Sequence, residues 1–282
     1  MKELEPLVRN ACSLLVVPGH RPDRFPKAFA SGADLVMLDI EDAVGPELKP
    51  QARKHIDDWL TDNRPAVVRI NGVGTPWHGD DLAMVAEHEN CVVMIPKAEH
   101  PDQVNGVRRH LRPRSVVIPA LETATGILAA QPICSADGVV RIILGNADLS
   151  TDLGVDVADW DALRHARSHL VIASASAGAA PPLDGVTTAL YDDELVRRES
   201  LRAAALGFTG KACLHPRQVA VVNDVFRPSE RDVEWARNLL RSEGDGSVAA
   251  VEGQVVGKPI LDRARIVLAR AGLVPETAQE DR

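Results

Sequence analysis

The sequence predicts a (β/α)8 barrel followed by a C-terminal helix–hairpin–helix appendage, and three observations carry that expectation. Eight short apolar runs recur along the chain, amphipathic stretches separate them, and 282 residues hold eight such units with a little left over. The runs are near-continuous in Val, Ile and Leu, which indicates strands covered on both faces; the helices between them make the connections parallel. An open doubly wound sheet is the competing arrangement, but no Gly-rich phosphate fingerprint follows the first run.

SLLVV (13–17) opens the series and ends at Pro18-Gly19. DLVML (34–38), AVVRI (66–70), CVVMI (91–95) and SVVIP (115–119) follow. VVRIIL (139–144), a weaker PPLDGV (181–186) and GKACL (210–214) complete the eight. Helical periodicity fills the gaps, as in ELKPQARKHIDDWL, HPDQVNGVRRHL, WDALRHARSHLVIASASA and ELVRRESLRAAALG. From Arg227 the pattern changes. RPSERDVEWARNLL reads as a capped helix and SEGDGSVAAVEGQVVG as a hairpin around Gly244 to Gly246. PILDRARIVLARAG reads as a helix started by Pro259 and stopped by Gly272. The expected division is a catalytic barrel over residues 1–226 and an appendage over 227–282.

A formal net charge of −8 disfavours nucleic acid as a partner, although it leaves room for a local basic pocket. Cys12, Cys91, Cys134 and Cys213 are scattered among apolar runs with no metal-binding spacing, so they read as reduced core residues. No segment approaches the roughly 20 apolar residues of a membrane span, and the N-terminal apolar stretch is too short for a signal-peptide core. A cytoplasmic protein without membrane partners is the expectation.

In such a barrel the reactive groups lie at the carboxyl ends of the strands. The stretch VMLDIEDAV (36–44) therefore places Asp39, Glu41 and Asp42 at the rim, where like charges need a positive partner. Arg69 and Asn71 end the third run, Lys97 and Glu99 follow the fourth, Glu122 the fifth, Asp148 the sixth and His215-Pro216 the eighth. Acids from three strands, with no cysteine and few histidines, suit a hard cation. Mg2+ usually takes one or two carboxylates and leaves positions for substrate oxygens. Taken singly, each residue also has a structural reading: Glu122 as an acid favoured by a helix dipole, Asp148 as a helix cap after Gly145, Arg69 as an ion-pair partner, His215 as a helix-start residue and Lys97 as a solvated loop charge.

LLVVPGHRPDRFPKA, LDIEDAV, VVRIN, IPKAE, ALETATG, LGNADLSTDLG and GFTGKACLHPRQVAVVNDVFRPS, in that order, together resemble the citrate lyase β-subunit-like family of the HpcH/HpaI aldolase group, kin to malyl-CoA and citramalyl-CoA lyases. The resemblance implies a Mg2+-dependent carbon–carbon lyase on a TIM barrel, often a homotrimer, that cleaves or forms 3-hydroxyacyl-CoA thioesters to or from a 2-oxo acid and an acyl-CoA, the partner being an acyl-CoA or an acyl-carrier thioester. By motif, Glu122 and Asp148 are the implied metal ligands. Asp39, Glu41 and Asp42 hold metal-bound waters and orient Arg69, which contacts the substrate. Gly19, Arg21, Lys97, Lys211, His215 and Pro216 lie along the CoA side, and the appendage reaches a neighbouring subunit.

Two positions depart from the family pattern. Ala11-Cys12 replace a basic pair before the first strand, and Gly257 stands where an aspartate of the appendage acts as proton donor or base. The second loss disfavours condensation coupled to thioester hydrolysis, which needs a positioned proton acceptor, more than simple cleavage. A CoA-independent hydroxy-oxo-acid aldolase and a non-catalytic scaffold subunit of the same fold are the alternatives.

Overall fold

The computed structural model describes residues 4–244 and 258–273. The chain divides into two compact units, Met1–Phe226 and Arg227–Arg282. In the first, eight parallel strands pair in chain order and the eighth pairs back to the first, closing the barrel. The strands are β1 Ser13–Pro18, β2 Leu35–Asp39, β3 Ala66–Arg69, β4 Cys91–Ile95, β5 Val116–Leu121, β6 Ile143–Leu144, β7 Leu183–Asp184 and β8 Gly210–Cys213. Around them run α1 Leu4–Asn10, α2 Phe25–Phe29, α3 Lys49–Thr61, α4 His78–Ala86, α5 Pro101–His110, α6 Ala124–Leu128, α7 Ala130–Cys134, α8 Asn146–Leu153, α9 Arg164–Ser176, α10 Asp193–Leu206 and α11 Pro216–Phe226.

Successive strand residues point to opposite faces, so each apolar run feeds two layers. Leu14, Met37, Val67, Val92, Met94, Ile118 and Leu183 fill the barrel interior. Leu15, Leu38, Val68, Val93, Leu121 and Cys213 face outward and pack with Phe25, Ile56, Val85, Val104, Ile133 and Leu170 of the helices. All four cysteines are buried. Burial pushes the Cys91 and Cys213 thiols up to about 12 and Cys134 to about 11.

β6 and β7 are each two residues long where six are expected. Pro181 and Pro182 have no N–H to give, so beside them the ladder keeps Ala180 N to Val140 O and Leu183 N to Ile142 O. Arg141, wholly buried, turns to the N-terminal face. It donates to Pro181 O (2.6 Å), Ala11 O (2.5 Å) and Thr209 Oγ1 (2.6 Å), tying α1 and the starts of β1, β7 and β8 together. Ala11 and Cys12 are buried at the amino end of β1, so strand direction alone puts them opposite the reactive rim.

The second unit contains α12 Glu230–Gly244 and α13 Lys258–Arg270, which bury Ala236, Leu239, Ala264 and Leu268 between them. Ser229 and Asp232 cap α12 reciprocally, Ser229 N donating to Asp232 Oδ2 and Asp232 N to Ser229 Oγ. Gly272, at φ +71°, ends α13 in the left-handed region. α12 runs on through Gly244, into the segment expected as hairpin. The rest of that segment, residues 245–257 with Gly257, lies outside the described residues. No helix among the described residues is long and apolar enough to cross a membrane.

Candidate active site

The acids flagged in the sequence meet at the carboxyl ends of β2 to β6. Asp39 and Arg69 end β2 and β3 as direct register partners. Arg69 donates through Nε to Asp39 Oδ1 and through Nη2 to Oδ2, both at 2.7 Å. The main-chain N–H groups of Glu41 (2.9 Å) and Ala43 (3.0 Å) complete the Asp39 carboxylate. Four donors on two oxygens of a wholly buried side chain leave Asp39 no lone pair for a metal, a water or a proton in flight. It is a positioning residue, which narrows the catalytic role expected of it.

Glu41 carries the pattern outward. Its Oε2 lies 3.1 Å from Arg69 Nη1 and its Oε1 takes Lys97 Nζ at 2.5 Å. Lys97 Nζ also stands 3.3 Å from Asp42 Oδ2 and 3.7 Å from Asp148 Oδ2. Its main chain is left-handed at φ +48°, a costly conformation for a lysine, and its N–H donates to Glu122 Oε1 at 2.7 Å. One residue thereby links β2, β5 and α8.

Glu122 is buried at the end of β5. Its Oε2 rests against Gly145, where a Cβ would come within 2.2 Å; any side chain there would evict the carboxylate. Asp148 sits in the first turn of α8, half-exposed beside it. Asn146 sets the start of that helix, accepting from Val186 N (2.8 Å) and donating to Val186 O (3.0 Å).

Burial pushes the Glu122 carboxyl up to about 7; Arg69 opposes this, while Asp148 and Glu41 add to it. Burial likewise raises Glu41 against the pull of Arg69 and Lys97. Burial works against the Arg69 cation too, but Asp39, Glu41 and Glu122 prevail and hold its pKa above the ordinary value. Asp39, Glu41, Asp42, Glu122 and Asp148 thus face Arg69 and Lys97 with negative charge in excess. The donors are all oxygen, and among the described residues no three His, Cys, Asp or Glu surround one point. Two carboxylates, Glu122 and Asp148, without a closed protein cage fit Mg2+ better than Ca2+ or Zn2+.

Other expected residues stand elsewhere. Gly19 packs against the main chain, where a Cβ would meet Asp39 O at 2.9 Å and Ile56 Cδ1 at 2.8 Å. Arg21 is tied to Asp23 by two 2.8 Å bonds at the surface. His215 Nδ1 accepts from Arg217 N at 3.2 Å and Pro216 opens α11, so this pair starts a helix. Lys211 is buried, 3.1 Å from Asp184 and 3.6 Å from Glu199, which keeps it from any cleft. The sequence reading missed Gly145 as the space-maker for Glu122; its place directly before Asn146-Ala147-Asp148 was the available signal.

A closed (β/α)8 barrel whose carboxyl rim pairs an all-oxygen acid group with an arginine held by two buried carboxylates defines an enzyme class that handles oxyanions beside a hard cation. The chain belongs to the HpcH/HpaI aldolase/citrate lyase family, whose model matches residues 13–216. It is 40% identical over 265 residues to a citrate lyase subunit beta-like protein of Mycobacterium tuberculosis, covering 92% of this chain and 94% of that one. It is 31% identical over 303 residues to the L-malyl-CoA/beta-methylmalyl-CoA lyase of Rhodobacter capsulatus, covering 93% and 94%. Among solved structures it resembles the M. tuberculosis protein CitE in complex with magnesium, acetoacetate and coenzyme A, with TM-score 0.80, 38% identity and coverage of 94% and 99%. It also resembles the M. tuberculosis citrate lyase beta subunit complexed with oxaloacetate and magnesium, with TM-score 0.71, 38% identity and coverage of 78% and 99%.

Proposed function

We propose that this enzyme is a Mg2+-dependent carbon–carbon lyase that cleaves or forms a 3-hydroxyacyl-CoA thioester of the malyl, citramalyl or citryl kind, interconverting it with a 2-oxo acid and an acyl-CoA. The observation that carries the reading is the Asp39–Arg69–Glu41 arrangement, both carboxylates buried, standing beside Glu122 and Asp148. The related lyases, and the related structures holding magnesium with coenzyme A or oxaloacetate, support it.

Cleavage passes the 3-hydroxyl proton to solvent and breaks the carbon–carbon bond, so that a carbonyl forms at one end and a thioester enolate at the other. Glu122 and Asp148 would hold the cation, which supplies a Lewis-acid centre for the oxygens of the 2-oxo acid. Arg69 spends three N–H groups on Asp39 and Glu41 and keeps two. Those two are assigned to the thioester oxygen as its charge builds, the task for which a fixed, preorganised cation is suited. Glu41 and Asp42 hold Lys97, which is the cation assigned to the CoA side. Gly257 at the family's aspartate position assigns protonation of the enolate carbon to solvent and favours cleavage over condensation with hydrolysis. Residues 1–226 are read as the catalytic domain and 227–282 as an appendage toward a neighbouring subunit. The neighbouring-subunit contact and a homotrimer rest on the family resemblance; a cytoplasmic location is a separate proposal.

The test is purified protein with Mg2+ against malyl-, citramalyl- and citryl-CoA, with released 2-oxo acid trapped as its phenylhydrazone. The proposal expects Mg2+-dependent release from at least one thioester and none from the unacylated acids. Release from free acids alone would replace it with the CoA-independent aldolase.

A further inference from the structure

Beneath the rim acids lies a buried cation that the chemistry above does not use. Lys49, the first residue of α3, is 5% exposed. Its ammonium donates to the main-chain oxygens of Ile40 (2.8 Å) and Glu41 (2.9 Å) and to Asn71 Oδ1 (2.6 Å), which uses all three N–H groups. Asn71 is itself held, its main-chain N (2.9 Å) and Nδ2 (2.5 Å) both donating to Asp81 Oδ2. Two local rules run against a lysine here. Ammonium groups are seldom so buried, and a cation in a helix's first turn opposes the helix dipole. A residue that breaks local rules answers to a constraint elsewhere in the fold.

What the ammonium grips shows that constraint. Glu41 must offer one carboxylate oxygen to Arg69 on β3 and the other to Lys97 beyond β4. Its peptide N–H is fixed by Asp39 and its carbonyl by Lys49. We propose that Lys49 is a positioning residue of the rim, holding the Ile40 and Glu41 carbonyls so that the Glu41 carboxylate is fixed between Arg69 and Lys97. Only the kinetic consequence rests on the function proposed above.

The test has two arms. In the first, acetylation of Lys97 by acetic anhydride is followed by peptide mass spectrometry, without metal or substrate. Lys97, 42% exposed, is shielded by its bond to Glu41, so labelling should speed up several-fold in Lys49→Met, as in Glu41→Gln. Arg141→Met, which removes a buried cation at the opposite face, should leave it at the wild-type rate. In the second, kcat for Lys49→Met should fall about 10- to 100-fold with KM unchanged. That loss should vanish in a Glu41→Gln background, because a residue acting through Glu41 has nothing left to position. Asn71→Ala, which removes one of the three acceptors, carries both arms if Lys49→Met does not fold. Wild-type labelling of Lys97 in both variants, or losses that multiply with Glu41→Gln, would overturn the proposal. Absence of turnover in the wild type would instead remove the proposed function and leave the labelling arm to decide.

Discussion

Asp39 and Arg69 end adjacent parallel strands in direct register, and their side chains close a two-pronged ion pair with 2.7 Å on each arm and Asp39 wholly buried. Breaking the pair from the Asp39 side leaves Arg69 with Glu41 at 3.1 Å but takes away its two-pronged partner. Asp39→Asn is expected to cost about 1.5–3 kcal/mol in unfolding free energy, the range for hydrogen bonds to charged groups. Arg69→Lys cannot reproduce the fork and is expected to lower kcat about 100- to 1,000-fold. Urea unfolding and steady-state kinetics check the two; a wild-type kcat for Arg69→Lys would contradict its assigned contact with the enolate oxygen.

Gly145 is needed for space. Its φ of −92° is open to any residue, yet a Cβ would sit 2.2 Å from Glu122 Oε2. The same Cβ would meet Glu122 Cβ at 2.4 Å, so Gly145→Ala should shift the whole Glu122 side chain and lose Mg2+ affinity by about tenfold or more, in the range seen when groups supporting metal ligands are disturbed. Calorimetric titration of Mg2+ decides it. Unchanged affinity would mean that Glu122 does not bind the ion.

The rim was legible because a parallel barrel tells the reader which end of each strand is reactive, and the residues after the apolar runs at 38, 70, 95, 119 and 144 did converge. Sequence position does not tell which face a side chain takes. Lys211 shares the outward parity of Cys213 and was drawn into an ion cluster among the helices, although its motif suggested a cleft. Ala11 and Cys12 were read as preceding the first strand, and they lie at its amino end. The left-handed backbone of Lys97 and the carbonyl grip of Lys49 leave no mark on composition or periodicity. β6 and β7 were overestimated because apolar content alone ignored the prolines and Arg141.

The raised Glu122 carboxyl sets a pH dependence. Burial, reinforced by Asp148 and Glu41 and opposed by Arg69, puts it at about 7, and a metal must displace its proton. Apparent Mg2+ affinity should fall as pH drops below about 7, approaching tenfold per unit, and level off above it. Titration at several pH values in buffers of different ionisation enthalpy should show proton release on binding near pH 6 and little at pH 8. Flat affinity across that range would contradict Glu122 as the ligand.

Asp184 makes a separate prediction about stability. Burial disfavours its charge, but Lys211 and then Arg167 hold its pKa below the ordinary carboxylate range. A depressed carboxylate stabilises the fold fully above its unfolded pKa, about 4, and loses that contribution as pH falls through the folded value. Asp184→Asn should cost about 3–5 kcal/mol at pH 7 by taking the carboxylate from buried Arg167 and leaving Lys211 with Glu199 alone, and less under acid conditions. Urea midpoints for both proteins at pH 7 and pH 3 check the narrowing; a gap that widens in acid would contradict it.

The central claim is that Glu122 and Asp148 hold a cation that receives a 2-oxo acid. Calorimetric titration of Mg2+ into metal-stripped protein, with and without oxaloacetate, pyruvate or glyoxylate, tests it most directly beside Glu122→Ala and Asp148→Ala. The expected result is Mg2+-dependent binding of at least one 2-oxo acid in the wild type, lost in both variants. Wild-type binding that survives in either variant, or no Mg2+ binding at all, would contradict the account and leave the rim acids as an ion network.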